Sequence, residues 1–584
     1  MENDNQYHDA LSEASFTHSG PKLRELFVTI ISVCEISDPL QLWENHKDSL
    51  SEDLHDFSSD KPFDAELNYN EALIIIEEAL LSVSGKELSE FGLPRPTLHP
   101  YLPRIPLEYQ KEISYDKEKL KHFVEENMEK LTTEQKAAFD KVMSLINEGG
   151  IVFMDAPGGT GKTFTSEIIL AVVRSNLKIA LAVASTGIAS SLLTGGTTAH
   201  RQFKIPLDLD KDDKPTCSVE KGTALAKLIQ DTALIVWDEC TMVHKKAFES
   251  VDRMLRDIRG VDKIMGGVLV LLTGDFRQTL PVVPGGTRAD EINSTLKSSV
   301  LWPKVEKLHL TKNMRAHITG DEEAWDFSEV LEDIGNGKIG KETNGVFSPP
   351  PTVCVKNLEE LMNSIYPNIE ENHKDPTWLS QRAILAPRNV EVDGLNQTLL
   401  SKLPGEKKTY KSIDKVMTDT DATKYPIEFL NSLDPPGVPQ HTLHLKVNCV
   451  VMLLRNLNAP KLCNGTRIQV TSLHDHLIRG EILSGKYKGE KVTIPRIPII
   501  PKGYPFKFKR IQFPVKLSFA MTINKSQGQS IKHCGLYLEN PCFSHGQFYV
   551  GASRVGSQKN LKIFAPQNKT VNIVYQEVLG DLGL

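Results

Sequence analysis

The sequence predicts an α/β protein: two units built on parallel sheets, a small β-barrel inserted in the second, and a mainly helical N-terminal region. Three observations predict it. A Gly-rich turn, Asp155-Ala156-Pro157-Gly158-Gly159-Thr160-Gly161-Lys162-Thr163, joins an apolar run at 151–154 to a segment where Phe164, Ile168 and Val172 recur at helical spacing. From about 113 to 320, strand-like and helix-like patterns alternate, as they do in a parallel sheet covered by helices. A second alternation starts at 382–387 and closes with 534–539, 548–554 and 561–565.

Along the chain, residues 1–110 show helical patterns at 22–34, 40–46 and 70–84 between polar loops, ending in a Pro-rich linker at 94–103. Residues 111–320 form the first α/β unit, with strands expected at 151–154, 178–184, 233–237, 268–273 and 305–310 and a small wedge-like insertion at about 195–230. Residues 321–584 form the second unit. Between its halves, at about 440–515, short strand patterns and glycines (Gly465, Gly480, Gly485, Gly489) predict the inserted barrel.

The chain has 584 residues, enough for several domains, and with hydrophobic residues at 40% it can bury packed cores. No apolar run approaches the roughly 18 residues of a membrane span, and the start lacks the basic and apolar pattern of a signal peptide. Eight scattered cysteines without a Cys-x-x-Cys pair favour a reduced intracellular protein with no structural metal. The net charge of −7 argues against indiscriminate nucleic-acid binding. The charge is uneven, however: residues 1–100 carry 20 acidic against 6 basic side chains, which leaves room for a basic channel elsewhere.

The turn at 156–163 is a phosphate cradle. Backbone N–H groups at a helix N-terminus face the oxygens, Lys162 adds a point charge, and Thr163 can ligand Mg²⁺. Ala156 stands where the strict pattern has glycine, and it is small enough for the turn. The strand at 233–237 ends in Asp238-Glu239. Beside the first strand, Asp238 would hold Mg²⁺ through water and Glu239 would orient the attacking water. After a further strand, Gln278 in Gly274-Asp275-Phe276-Arg277-Gln278 carries an amide able to report on a terminal phosphate. Thr132 and Gln135 suit a capping box; equally, the Gln135 amide suits an adenine edge. Arg315 and Arg554 suit charge stabilisation across a domain interface or, on the residues alone, a surface salt bridge.

Taken in order, 131–135, 156–163, 184–189, 197–200, 237–239, 274–281, 313–315, 519–528 and 549–554 resemble the superfamily 1 DNA helicases of the petite-integration-frequency (PIF) type. Residues 445–447, 451–456 and 464–466 resemble the start of that family's inserted barrel. The segments at 23–27 and 42–44 look most like helicases of Helitron transposons. The resemblance implies two RecA-like domains and an ATP-driven 5′-to-3′ DNA helicase using Mg²⁺ and acting on single-stranded, duplex or forked DNA. It also implies roles in repair, recombination, telomere maintenance or Helitron transposition, and a nuclear location in a eukaryote. It supplies the adenine role of Gln135, the sensor role of Gln278 and the coupling roles of Arg315 and Arg554. It places Ser185, Thr186, His200, Phe203, Lys204, Thr522, Lys525 and Gln527 along the DNA, where a core position for Phe203 is the competing reading.

There are three departures. Gly551-Ala552 stands where the family usually has Ala-Leu, and a helical glycine costs roughly 1 kcal/mol, enough to loosen Arg554. Asn524 stands for the usual His, and Asn448 for a common Gly. The Gly551-Ala552 change leaves open a catalytically weak, transposon-derived DNA-binding remnant. Residues 504–510 interleave aromatics with cations and are read as a half-buried strand with its lysines outside. His474-Asp475-His476 is read as a barrel loop.

Overall fold

The computed structural model describes residues 4–54, 65–97, 107–209, 212–314, 322–340, 345–418, 421 and 424–580. They divide into two compact units: 1–107 with 370–379 and 400–518, and 108–369 with 380–399 and 519–584.

The first unit opens with helices α1 (Asn5–Ser15), α2 (Gly20–Val33), α3 (Pro39–Ser51) and α4 (Ala65–Ser84). Proline near the start of α2 and α3 costs no intrahelical hydrogen bond there. Leu23, Phe27 and Ile30 of α2 pack with Leu42 and Trp43 of α3 and Ile76 and Leu80 of α4, all buried, and Phe27 meets Trp43 edge-on at 6.2 Å. The helical pattern of α1 went unread in the sequence.

The rest of this unit is β-structure. A five-stranded antiparallel sheet runs in the order Lys491–Pro495, Leu477–Ile482, Arg467–Leu473, Val450–Leu453, Val515–Leu517. Two smaller sheets carry it back to Lys408, ahead of the expected start near 440. The acidic helices are not a free-standing module: Glu25 pairs with Lys461 at 3.0 Å and Glu35 with Lys509 at 2.7 Å. Opposite charges on segments far apart in sequence thus meet within one unit. Asn448 takes φ +66°, the left-handed conformation that explains why glycine suits this position and asparagine can replace it. His474-Asp475-His476 forms the turn between two strands.

Residues 504–510 meet the strand expectation at Phe508–Gln512: Lys507 is exposed as expected, whereas Lys509 is buried with its ammonium on Glu35. The Arg510 guanidinium is fully buried, 2.7 Å from Asp414, and donates to the carbonyls of Leu430, Leu433 and Pro439. Three carbonyls and a carboxylate satisfy its planar fork, which makes burial tolerable.

The second unit contains two parallel sheets. Strands β1 (Gly150–Asp155), β2 (Ile179–Ala184), β3 (Thr197–Thr198), β4 (Thr232–Asp238), β5 (Leu269–Gly274) and β6 (Val305–His309) form one sheet in the order β3-β2-β4-β5-β1-β6. Strands β7 (Arg382–Ala386), β8 (Ala520–Thr522), β9 (His533–Tyr537) and β10 (Leu561–Phe564) form the other, in the order β8-β7-β9-β10. This is the arrangement of two RecA-like domains. One detail differs from expectation: β5 stands between β4 and β1, so the strand carrying Asp238 is not beside the first.

Helix α5 (Thr133–Leu145) enters below β1, α6 (Lys162–Ser175) follows the Gly-rich turn, α7 (Gly187–Leu192) follows β2, and α8 (Gln547–Ala552) lies against β9. A Cβ at Gly551 would sit 2.8 Å from Leu536 Cδ2. The glycine therefore seats α8 on its sheet, and the expectation that it loosens Arg554 is corrected by this close packing. The chain then returns to the first sheet, where Tyr575 and Val578 join the hydrophobic core, Arg288 pairs with Glu577 at 2.6 Å, and Lys297 Nζ donates to the carbonyls of Leu579 and Gly580.

Breaking one side of a buried ion pair strands the other charge, at about 3–5 kcal/mol. Asp414→Ala is therefore expected to lower the unfolding free energy of the first unit, measured by urea titration, by that order, with Glu35→Ala, whose carboxylate is largely exposed, changing it by less than about 1 kcal/mol.

Candidate functional site

The carboxyl ends of β1, β4 and β5 open on one edge, and the Gly-rich turn rises from the first of them. Gly159 has φ +92° and Gly161 φ +81°. A Cβ on Gly159 would lie 2.8 Å from Asn313 Oδ1, and one on Gly161 would lie 2.4 Å from Gln135 Nε2. Both positions need glycine for conformation and for space. Ala156 is fully buried and its N–H donates to the Gly274 carbonyl, so its methyl belongs to the sheet core rather than the turn. Thr160 Oγ1 donates to the Pro157 carbonyl at 2.8 Å and closes the loop.

Gln135 makes the capping box with Thr132 at the start of α5, and its Nε2 also donates to the Thr160 carbonyl at 2.8 Å. Both ends of the amide are thus engaged, Oε1 by the Thr132 N–H in the cap and Nε2 in bracing the turn. The cap reading accounts for this geometry, and an adenine edge would have to share that donor.

At the floor, Lys162 Nζ lies 2.7 Å from Glu239 Oε1, both side chains nearly inaccessible to solvent. Asp238 Oδ1 accepts from Thr273 Oγ1 at 2.6 Å and from the Glu239 N–H at 2.8 Å. Burial drives the Asp238 carboxyl above its ordinary value against the pull of Lys162, with Glu239 adding to the rise. Burial pushes Glu239 up as well, but the Lys162 ammonium outweighs it and holds the carboxyl below the usual range. Lys162 is raised in turn: the two carboxylates prevail over its burial. The Lys162–Glu239 pair is accordingly charged throughout neutral pH. Its contribution is lost as pH falls below the usual carboxylate range through the depressed value of Glu239, and at the alkaline end as it rises through the elevated value of Lys162.

Glu239 has φ +52°, a strained conformation for a non-glycine residue at a strand end. Ser185 Oγ holds it by donating to the Glu239 carbonyl at 2.6 Å, and itself accepts from Trp237 Nε1. Thr186 caps α7 through the Ala189 N–H. Both residues were expected along DNA; their hydroxyls are engaged in shaping the strand end. His200 is half-buried, which lowers its pKa, and Lys204 is exposed. Phe203 is a correction: it is fully buried against Trp237, 6.0 Å between ring centroids, and cannot stack on a base from there.

The third wall is Asp275, buried at the end of β5. Its Oδ1 accepts from the Arg277 backbone and guanidinium, both at 3.1 Å, and its Oδ2 lies 3.4 Å from Gln278 Nε2. Gln278 Oε1 is buried without a hydrogen-bond partner among the described residues. An orphaned acceptor at this place fits a site completed by a water, which can donate to it.

Residues from the second sheet complete the enclosure. Gln527 is buried, with Oε1 2.6 Å from Thr279 Oγ1 and Nε2 3.4 Å from Glu239 Oε2. This corrects its expected DNA contact, because its amide is spent inside the site. Arg554 is buried and donates to the carbonyls of Val550, Ser526 and Gln529; its charge helps depress Glu239. Thr522 and Lys525 are half-buried at the end of β8. Arg315 lies outside the described residues. Sequence reasoning gave no role to Thr273, Asp275, Thr279, Asn313 and Tyr549; all but Thr273 lie inside the stretches quoted at 274–281, 313–315 and 549–554, and a carboxylate directly after a buried strand is the signal that could have found Asp275.

Residues 130–345 match the family model of the PIF1-like helicase, and residues 428–473 that of the DNA helicase Pif1 2B domain. Among curated proteins, the chain is 27% identical over 460 residues to the ATP-dependent DNA helicase PIF1 of Danio rerio, covering 77% of this chain and 64% of that one. It is 24% identical over 483 residues to the Pif1 helicase of Psychrobacter sp., covering 74% and 68%. The chain thus spans about two thirds of these relatives' length. Among solved structures, Bacteroides Pif1 bound to ssDNA superposes with a TM-score of 0.55 at 23% identity, covering 77% of this chain and 94% of that one. Pif1 from Candida albicans gives 0.53 at 22%, covering 77% and 97%.

Gly161→Ala combines left-handed strain of about 1–2 kcal/mol with loss of the Gln135 brace. It is expected to weaken binding of a fluorescent nucleotide analogue about tenfold or more, with the circular dichroism spectrum unchanged.

Proposed function

We infer that this chain, which belongs to the PIF1-like helicases, hydrolyses ATP to move along single-stranded DNA and unwind duplex or forked DNA. The observation that carries this reading is the buried assembly of Lys162, Asp238 and Glu239 beneath a glycine turn, enclosed by Gln527 and Arg554 from a second parallel sheet. A phosphate cradle needs only one sheet. Closing it with residues of another makes hydrolysis and motion of the two sheets one event.

Lys162 leaves Glu239 for the phosphates when nucleotide binds. Glu239, freed of its counter-ion and still held by Gln527, orients and polarises a water. Thr163 and Asp238 would hold Mg²⁺. Asp238 suits it: its carboxylate is buried, its Oδ2 makes no hydrogen bond among the described residues, and hard oxygens are what the ion prefers. When bound, Mg²⁺ neutralises charge on phosphate oxygens. The bare Oε1 of Gln278 is an acceptor available to a water, and Arg554 supplies fixed positive charge from the opposite sheet.

Movement in the 5′-to-3′ direction, a place in repair, recombination or telomere maintenance, and a Helitron origin are finer proposals that rest on motif wording alone. His200, Lys204, Thr522 and Lys525 remain the proposed DNA contacts. No described helix is long and apolar enough to cross a membrane.

Purified protein is expected to hydrolyse ATP, with single-stranded DNA raising the rate. Glu239→Gln lowers it by about 10²–10⁴, and Lys162→Ala abolishes it with the fold intact. Strand displacement measured in parallel separates a helicase from a translocase. Absence of hydrolysis by well-folded protein would favour the DNA-binding remnant.

A further inference from the structure

Of the motif at 549–554, Arg554 has been given a role and the tyrosine none. Tyr549 lies on α8, fully enclosed, and its hydroxyl donates to Asp275 Oδ2 at 2.9 Å. The same oxygen is the acceptor of a long contact, 3.5 Å, from the Gly158 N–H in the Gly-rich turn. One phenol from the second sheet therefore touches both the cradle and the acid at the end of β5. The ring is closely held: a Cβ on Gly335 would come within 3.1 Å of both Tyr549 Cδ2 and Arg277 Cβ.

Asp275 is the junction. Arg277 occupies its Oδ1 twice, so Tyr549 and Gln278 share its Oδ2, the tyrosine at 2.9 Å and the amide at 3.4 Å. That oxygen accepts both, and the shorter bond is the stronger. With the hydroxyl in place, Gln278 is kept at arm's length and its Oε1 stays bare. Without it, the carboxylate has a vacant lone pair, and the nearest donor is the Gln278 amide itself. A charge-assisted hydrogen bond would draw that amide in and turn Oε1 away.

We propose that Tyr549 is a positioning residue for hydrolysis: through Asp275 it sets the Gln278 amide, and through Gly158 it registers whether the cradle is occupied. A phosphate oxygen that claims the Gly158 N–H leaves the phenol bonded to Asp275 alone, so occupancy of the first sheet changes the bonding of a helix on the second. The proposal rests on the ATP-hydrolysis reading.

The test is steady-state ATP hydrolysis with saturating single-stranded DNA for wild type, Tyr549→Phe, Gln278→Ala and the double variant. Binding of a fluorescent ADP analogue is measured on each. Phenylalanine keeps the ring and removes only the hydroxyl. Tyr549→Phe is expected to lower kcat about tenfold or more with KM and ADP affinity within about twofold. The double variant is expected to be no slower than Gln278→Ala alone. Unchanged kcat, or losses that multiply in the double variant, would overturn the proposal. A fall in ADP affinity matching the loss in kcat/KM would equally overturn it, since that is what a merely structural role produces. If wild type does not hydrolyse ATP, the underlying reading fails too. If wild type does and Tyr549→Phe matches it, only the role of Tyr549 fails.

Discussion

The second unit depends on one constraint: parallel strands end on the same side. In a parallel sheet every carboxyl end opens onto one edge, and a group placed there needs no further folding to meet its neighbours. The Gly-rich turn follows β1, Ser185 follows β2, Asp238 ends β4, and Asp275 follows β5. The second sheet obeys the same rule, bringing Thr522 to the end of β8 and Gln527 just beyond. Residues separated by hundreds of positions become neighbours because the sheets leave them nowhere else to be.

What is collected there is costly to collect. Asp238, Glu239 and Asp275 are all buried within one site, with Lys162 and Arg277 as their cations. Carboxylates out of water are tolerated only when paired or hydrogen-bonded. Glu239 borrows Lys162, Asp275 takes Arg277 and Tyr549, and Asp238 has hydroxyl and amide donors without a cation of its own. Burial accordingly raises Asp238, while Lys162 holds Glu239 down. This distribution fits a site that is stable before its substrate arrives and reorganises when it does.

Much of this was legible in the sequence, and the reason is locality. A glycine turn, a buried strand and a capping box are written in consecutive residues, so the two sheets, the turn and the Thr132–Gln135 cap could be read directly. What failed turned on a single distant neighbour. Whether Phe203 faces water or Trp237, whether Gln527 meets a sugar-phosphate or Glu239, and whether Lys509 points out or at Glu35 are decided by chain that lies 34, 288 and 474 residues away. Gly551 looked like a weakness because its partner, Leu536, is invisible in local pattern. The order of strands was misjudged for a similar cause: nothing between 233 and 273 announces which strand will sit beside β1.

The return of Tyr575 and Val578 to the first core has a mechanical meaning. With the Arg288–Glu577 pair and the Lys297 contacts, it makes the second sheet a span fixed at both ends rather than a cantilever. A cantilever can swing through any arc its single root permits. A span fixed at both ends stores elastic strain when displaced, and returns it. Any displacement of the second sheet must therefore strain or break the Arg288–Glu577 and Lys297 contacts.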